Sequence, residues 1–225
     1  NSVDSVYLVT GNLIIQPTDT LIIDPGVEVR FDGNYRMDIF GTLFAIGTET
    51  DSILFTRNGT TQWMSLNFAD ASNDSSKLQY CIIEDGSESG YEPYNGMVNC
   101  NLSSPTISNN RISNGSAHGI FLTGSNSLID NNVINYMGNT AIRNTDSTLT
   151  ISNNIISNID YYGIQLMGGD NYTVSNNMLN IIGSNGIYLS NGDNATISNN
   201  SLSNVSAGAV IYIYEGDSSL VSSNT

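Results

Sequence analysis

Ile107-Ser-Asn-Asn-Arg-Ile-Ser113 recurs down the chain. Leu128-Ile-Asp-Asn-Asn-Val-Ile134, Ile151-Ser-Asn-Asn-Ile-Ile-Ser157, Val174-Ser-Asn-Asn-Met-Leu-Asn180 and Ile197-Ser-Asn-Asn-Ser-Leu-Ser203 are copies. Val221-Ser-Ser-Asn224 is a last, shortened one. The second Asn falls at 110, 132, 154, 177, 200 and 224, so the spacing is nearly constant and opens slightly toward the end. A fixed period of roughly 22–24 residues predicts a solenoid.

Each period also carries a short apolar segment: Gly119–Leu122, Ala141–Asn144, Gly163–Leu166, Gly186–Leu189 and Gly208–Ile211. Polar turns containing Gly, Asn or Asp separate these segments, as in Met167–Asp170 and Asn191–Asp193. Apolar residues are not spaced at three and four over any sustained window, so short strands are predicted and helices are not. The leucine-rich frame is missing as well. The geometry that fits is all-β: a coil of three short strands, each pairing in parallel with its copy one turn on, about 4.8 Å away. Ile107, Ile129, Ile151, Val174, Ile197 and Val221 then stack inside as one ladder. Ile120, Ile142, Ile164 and Ile187 form a second. Asn110, Asn132, Asn154, Asn177 and Asn200 form a third at a tight turn, where Asn tolerates left-handed backbone angles and stacked amides hydrogen-bond along the axis.

This repeat resembles the right-handed parallel β-helix proteins of the pectate-lyase-like superfamily, in their Asn-rich surface form. The resemblance covers nearly the whole chain. It implies a single β-helix over residues 1–225, of about nine or ten coils of roughly 22–24 residues. That fold hosts lyases, hydrolases, esterases, epimerases, tailspikes, adhesins and passive stalks, so the resemblance specifies fold rather than activity. The order of motifs from Leu13 to Thr56 looks like the opening coils of many secreted β-helix proteins. Residues 1–60 are expected to be less regular and to lack the Asn ladder, and 96–225 to be regular. Between Cys81 and Asn110 lie about seven residues more than one period, around Gly86–Tyr94, and a projecting loop is expected there. The chain begins at Asn1 without Met and reads as a mature or trimmed segment. It stops inside a repeat at Thr225. Continuation, a capping partner or end-to-end self-stacking are the ways to cover such an end.

The net charge is -15, with six basic residues. Nucleic acid and anionic membranes need a basic footprint, so both are poor partners. The longest apolar runs fall short of a membrane span, so membrane insertion is not expected. Cys81 aligns with the head of the Asn ladder and Cys100 with Thr123, on another side of the coil. Two free thiols are therefore expected, because a disulfide needs Cα atoms within about 7 Å.

Chemistry is expected on an exposed strand face. One outward row reads Phe121, Arg143, Gln165, Tyr188 and Val210; the row before the Gly position reads His118, Thr140, Tyr162, Asn185 and Ala207. Aromatic rings, amides and a cation at rung spacing suit a polysaccharide or cell-surface glycan, with Phe121, Arg143, Gln165, Tyr188 and Tyr162 as contacts. His118, the single histidine, lies beside Arg143 one coil on, and Asp160-Tyr-Tyr162 adds an acid. These three are the catalytic candidates for a polysaccharide lyase or glycoside hydrolase. Paired carboxylates at one site and the Asp-Pro-His signature of the epimerases are both missing. Asp170, Asp193 and Asp217 each lie four residues before a ladder residue, so like charges stack at one turn, with Asp146 as an extension. Such a row attracts a cation or swings into water, and calcium is the candidate ion. Flat Thr-x-Thr rows, which an ice-binding surface needs, are missing. The expectation is a secreted or cell-surface module, a rigid scaffold with a glycan-contacting face; the alternative is a polysaccharide-active enzyme.

Overall fold

The computed structural model describes residues 5–70, 72–87 and 95–225. It is a right-handed parallel β-helix of about nine coils, built from three nine-stranded parallel sheets. The first sheet runs from Val6–Val9 to Ser201–Val205, the second from Leu13–Ile15 to Ile211–Tyr214, and the third from Thr20–Ile23 to Leu220–Ser222. Among the described residues there is no helix.

The aliphatic ladders form as expected. Ile107, Ile129, Ile151, Val174, Ile197 and Val221 pair in register in the third sheet. The column continues upward through Leu78, Ala45 and Ile23. In the second sheet Ile120, Ile142, Ile164 and Ile187 stack, and Ile211 follows. The last strand is therefore Ile211–Tyr214, not Gly208–Ile211. The last coil is longer than the regular coils directly before it, so its strand begins later than their spacing places it.

The Asn-Asn pair divides its labour. The first Asn takes the left-handed backbone: φ is 58° at Asn109, 54° at Asn131 and 57° at Asn153, Asn176 and Asn199. The second Asn is the buried ladder residue. Its Oδ1 accepts two N–H groups of the preceding coil: Asn132 Oδ1 takes the backbone N–H and the Nδ2 of Asn110, both at 3.0 Å. Its Nδ2 donates to the carbonyl of Ile107 at 3.0 Å and to Asn154 Oδ1 at 3.0 Å. The pattern repeats through Asn154, Asn177 and Asn200 and ends at Asn224. Cys81 closes the top by donating its backbone N–H to Asn110 Oδ1 at 2.9 Å.

The upper coils differ. Along the first sheet Glu28 pairs with Leu54, Leu54 with Ile82 and Ile82 with Arg111, and each of these turns takes more chain than the turns from Arg111 to Val133 and from Val133 to Ile155. Longer coils enclose a wider lumen, and aromatic rings fill it: Phe31, Phe55, Trp63 and Phe68 are fully buried. Trp63 stacks on Phe31 at 4.4 Å and its indole N–H donates to the Glu84 carbonyl at 2.8 Å.

Both cysteines are free and buried. Cys100 pairs with Leu122 rather than Thr123, because Asn99 holds the outward place and turns the thiol into the lumen. Burial pushes its pKa up to about 12. The loop expected at Gly86–Tyr94 lies mostly outside the described residues.

Candidate functional site

Strand alternation sends every second residue of the second sheet outward. One outward column reads Asp38, Asn67, Asn99, Phe121, Arg143, Gln165, Tyr188 and Tyr212. Its upper half is a closed polar chain. Arg36 Nε donates to Asp38 at 2.8 Å, Asn67 Nδ2 to Asp38 Oδ1 at 2.9 Å, and Asn99 Nδ2 to Asn67 Oδ1 at 2.8 Å. Asn67 and Asn99 are buried. The lower half is aromatic and open.

At the junction sit His118, Phe121 and Arg143. The His118 ring lies over Phe121 with centroids 5.6 Å apart, and the Arg143 guanidinium sits 5.3 Å from the Phe121 centroid. The backbone N–H of Thr140 donates to His118 Nδ1 at 3.2 Å. His118 Nε2 is 3.4 Å from Arg143 Nη1. Burial first, and the Arg143 charge second, push the His118 pKa down to about 4, so the ring is neutral at pH 7. With Nδ1 accepting, the ring proton belongs on Nε2. His118 is thereby a hydrogen-bond donor to its surroundings and not a ready general base.

Below the junction the rings line up. Tyr162 and Tyr188 stack at 5.2 Å, and Tyr188 and Tyr212 at 5.4 Å with planes only 8° apart. Tyr161 leans on Tyr162 at 4.1 Å. Tyr162 and Tyr188 are half-buried and Tyr212 is exposed. Hydrogen bonding with Tyr161, then burial, raises the Tyr162 pKa to about 12, so its hydroxyl stays protonated across the physiological range. Gln165 lies half-buried between Arg143 and Tyr188 in the same column. The surface therefore offers ring faces, one amide and one cation along a straight line, at a rise of about 4.8 Å per coil.

The structure brings His118, Arg143, Gln165, Tyr162 and Tyr188 to one face, as expected, and departs from the expectation elsewhere. Phe121 points outward but is only 3% exposed, packed beneath His118 and Arg143, so it supports the surface and is not a contact. The column ends on Tyr212 rather than Val210, from the same shift of the last strand, and Ala209 replaces Ala207 below Asn185. Tyr161 and Tyr212 are the surface residues the sequence reasoning missed. An outward count from Ile211 instead of Gly208 would have found Tyr212.

Asp160 does not join His118 and Arg143. It sits at the turn after the first sheet, lining a shallow hollow with Tyr136, Asn158 and Ile181, and its backbone N–H donates to Met137. The three Asp residues do stack, but the carboxylates of Asp170 and Asp193 serve the coil below: Asp193 N–H donates to Asp170 Oδ1 at 3.0 Å, and Asp217 N–H to Asp193 Oδ1 at 2.7 Å. The same turn carries this pattern further up, with Ser104 N–H on Asp74, Asn126 N–H on Ser104 and Thr148 N–H on Asn126. Thr148, not Asp146, precedes Asp170 in the row, its hydroxyl donating to the Asp170 carbonyl at 2.9 Å. Among the described residues no three His, Cys, Asp or Glu side chains converge as a metal site.

Residues 96–225 match the family model described as the right handed beta helix region. A comparison with curated protein sequences finds no match. Among solved structures, the chain is similar to the Dettilon tailspike protein gp208, with a TM-score of 0.62 and 14% identity, over 97% of this chain and 54% of that one. It is also similar to a GH136 lacto-N-biosidase from Eubacterium ramulus, with a TM-score of 0.45 and 13% identity, over 98% of this chain and 55% of that one. The chain thus spans about half the length of each.

Proposed function

The chain belongs to the right-handed β-helix family, and on that premise we propose that it is a secreted or cell-surface module: a rigid scaffold whose second sheet presents a glycan-contacting face. One observation carries this reading, the outward column of Arg143, Gln165, Tyr188 and Tyr212, with Tyr162 from the neighbouring row continuing the stack of tyrosine rings. Sugar rings have apolar faces that pack on aromatic rings and hydroxyls that meet amides and charges. A fixed β-sheet holds such groups at little further cost in side-chain freedom, since the binding surface is largely preorganised. The partner of this reading is a polysaccharide or cell-surface glycan.

The test is a binding panel of acidic and neutral polysaccharides, read by calorimetry, with Tyr188→Ala beside the unaltered chain. The expected result is binding to at least one class, weakened about tenfold by the variant, as loss of an aromatic contact of about 1.4 kcal/mol gives. Silence across the panel overturns the reading. The same panel, followed for unsaturated products and new reducing ends, tests the scaffold against an enzyme. His118 in its donor tautomer and the distance of Asp160 from it favour the scaffold; unsaturated product lost in Arg143→Ala would establish a lyase instead.

A further inference from the structure

At the turn after the first sheet one backbone place is left-handed in six successive coils. It falls at Asp85, Asn114, Tyr136, Asn158, Ile181 and Asn204, with φ between 53° and 60°. From Asn114 down it is a bulge. The residues on either side pair in register with the neighbouring coils, as Asn135 with Ser157 and Met137 with Ile159, and this one does not. Asn and Asp enter the left-handed region readily; Tyr and the β-branched Ile do not. Tyr136 and Ile181 are nevertheless used, and they are 58% and 48% exposed. Packing inside the coil therefore does not account for them. Backbone strain of this kind concentrates where a side chain serves a contact.

The two stand on either side of Asn158, two rungs apart, or about 9.6 Å along the axis. Two residues on in each coil come Gly138, Asp160 and Gly183, whose N–H groups each donate to the coil above. A side chain at Gly138 would strike the Ser116 carbonyl at 2.7 Å, and one at Gly183 the Asp160 carbonyl at 2.1 Å. Asp160 is thus flanked by two rungs that carry no side chain. The result is a hollow of about 490 Å³ with Tyr136 and Ile181 as apolar walls and Asn158 and Asp160 between them. The two central groups accept. Asn158 gives its Nδ2 to Ser157 Oγ at 3.3 Å, which leaves its Oδ1 for a ligand. The ion pairs among the described residues all lie elsewhere, so the exposed Asp160 carboxylate has no cation beside it.

We infer that this hollow binds an alkylammonium group, with the charge on Asp160 and Asn158 Oδ1 and the alkyl body between Tyr136 and Ile181. An ammonium has three donors and no acceptor, the complement of what the central rung offers. The Tyr136 ring adds an attraction for a cation, and the net charge of -15 draws cations to the chain. The site lies at a different corner from Tyr188 and Tyr212 and does not depend on the glycan reading.

The test is an NMR titration of the intact protein at pH 7 with n-butylamine hydrochloride, with n-butanol as the neutral control and ionic strength matched by sodium chloride. The Ile181 methyl and Asp160 amide signals are followed. The amine is expected to shift both to saturation and to bind at least tenfold more tightly than the alcohol, and Asp160→Asn to weaken it at least tenfold. Nα-acetyl-lysinamide distinguishes the source: tighter binding than butylamine assigns the place to a lysine side chain of a partner protein, and weaker binding assigns it to a free amine. The strain is tested separately. Asn is the ordinary residue at this place, so Tyr136→Asn and Ile181→Asn are each expected to raise the melting temperature while weakening the amine about threefold or more. No shift with the amine, equal shifts with butanol, or unchanged binding in Asp160→Asn overturns the inference. A fall in melting temperature in both Asn variants also overturns it, because Tyr136 and Ile181 then serve the fold and not a ligand.

Discussion

Two columns run the length of the lower coils with the same rise, one inside the turn before the first sheet and one outside the second sheet. The inner column repeats one residue, Asn110, Asn132, Asn154, Asn177 and Asn200. The outer one varies before it ends on two tyrosines: Phe121, Arg143, Gln165, Tyr188, Tyr212. The difference is one of chemical demand. Inside, each side chain must accept two N–H groups from the coil above and donate both to a carbonyl and to the next amide. Among side chains of that size only an Asn amide does both: Asp lacks the donor and Leu lacks everything. Outside, a residue needs only to tolerate a pleated surface, and its identity is free to serve whatever lies against it.

The comparison breaks most sharply at Asn154. Asn154→Ala removes the acceptor for Asn132 N and Nδ2 and the donor to Ile129, Ser152 and Asn177. Several buried groups lose partners at once, each at about 1–3 kcal/mol. The expected loss of stability is about 4 kcal/mol, measured by urea unfolding. Tyr188→Ala on the outer column is expected to stay within about 1 kcal/mol while weakening glycan binding. Equal losses at the two positions would show that the outer column is structural too.

His118 sharpens the comparison by being a buried group on the outer face. Its folded pKa of about 4 lies below the ordinary value of 6.5. As pH falls, the unfolded chain takes up the proton first, so stability rises with pH between those values. The contribution is full above about pH 6.5 and lost by about pH 4, to the extent of about 3 kcal/mol. His118→Gln is expected to flatten this part of the stability–pH curve. An unchanged slope would place the imidazole in water rather than beneath Arg143.

The fold was legible because its demands are stereotyped. A near-constant period, aliphatic positions in register and a repeated Asn-Asn pair leave few architectures. The repeat put the ladder on the second Asn, where it lies, but put the left-handed backbone there as well; the first position carries it, and Tyr80 and Ser223 take that position with φ of 51° and 55°, so the left-handed place accepts substitutes and the ladder place accepts few. The site was legible in part. Counting outward residues found Arg143, Gln165 and Tyr188, because strand alternation is strict. It failed at Val210, where extra chain in the last coil moved the register, and at Phe121, where direction was right but two neighbours cover the ring. Asp160 was drawn toward His118 by its closeness in sequence to Tyr162, yet it sits at the turn directly after Ile155–Ile159, before the chain reaches the second sheet.

The Asp row gives the smallest effect and the finest comparison with the Asn ladder. The two hydrogen-bond in opposite senses. In the ladder an N–H reaches down to the next side chain, whereas at the Asp turn an N–H reaches back to the previous one. The Asp turn asks only for an acceptor, which Ser104 and Asn126 also supply. Asp193→Asn keeps an acceptor oxygen for Asp217 N–H and removes one charge from an exposed stack of three. The expected change is a gain of a few tenths of a kcal/mol at low salt, fading as salt screens the repulsion. Melting with and without calcium completes the test. A calcium-dependent rise that is lost in Asp193→Asn would give this row a bound ion, and an equal rise in both proteins would leave its carboxylates as acceptors for the coil below.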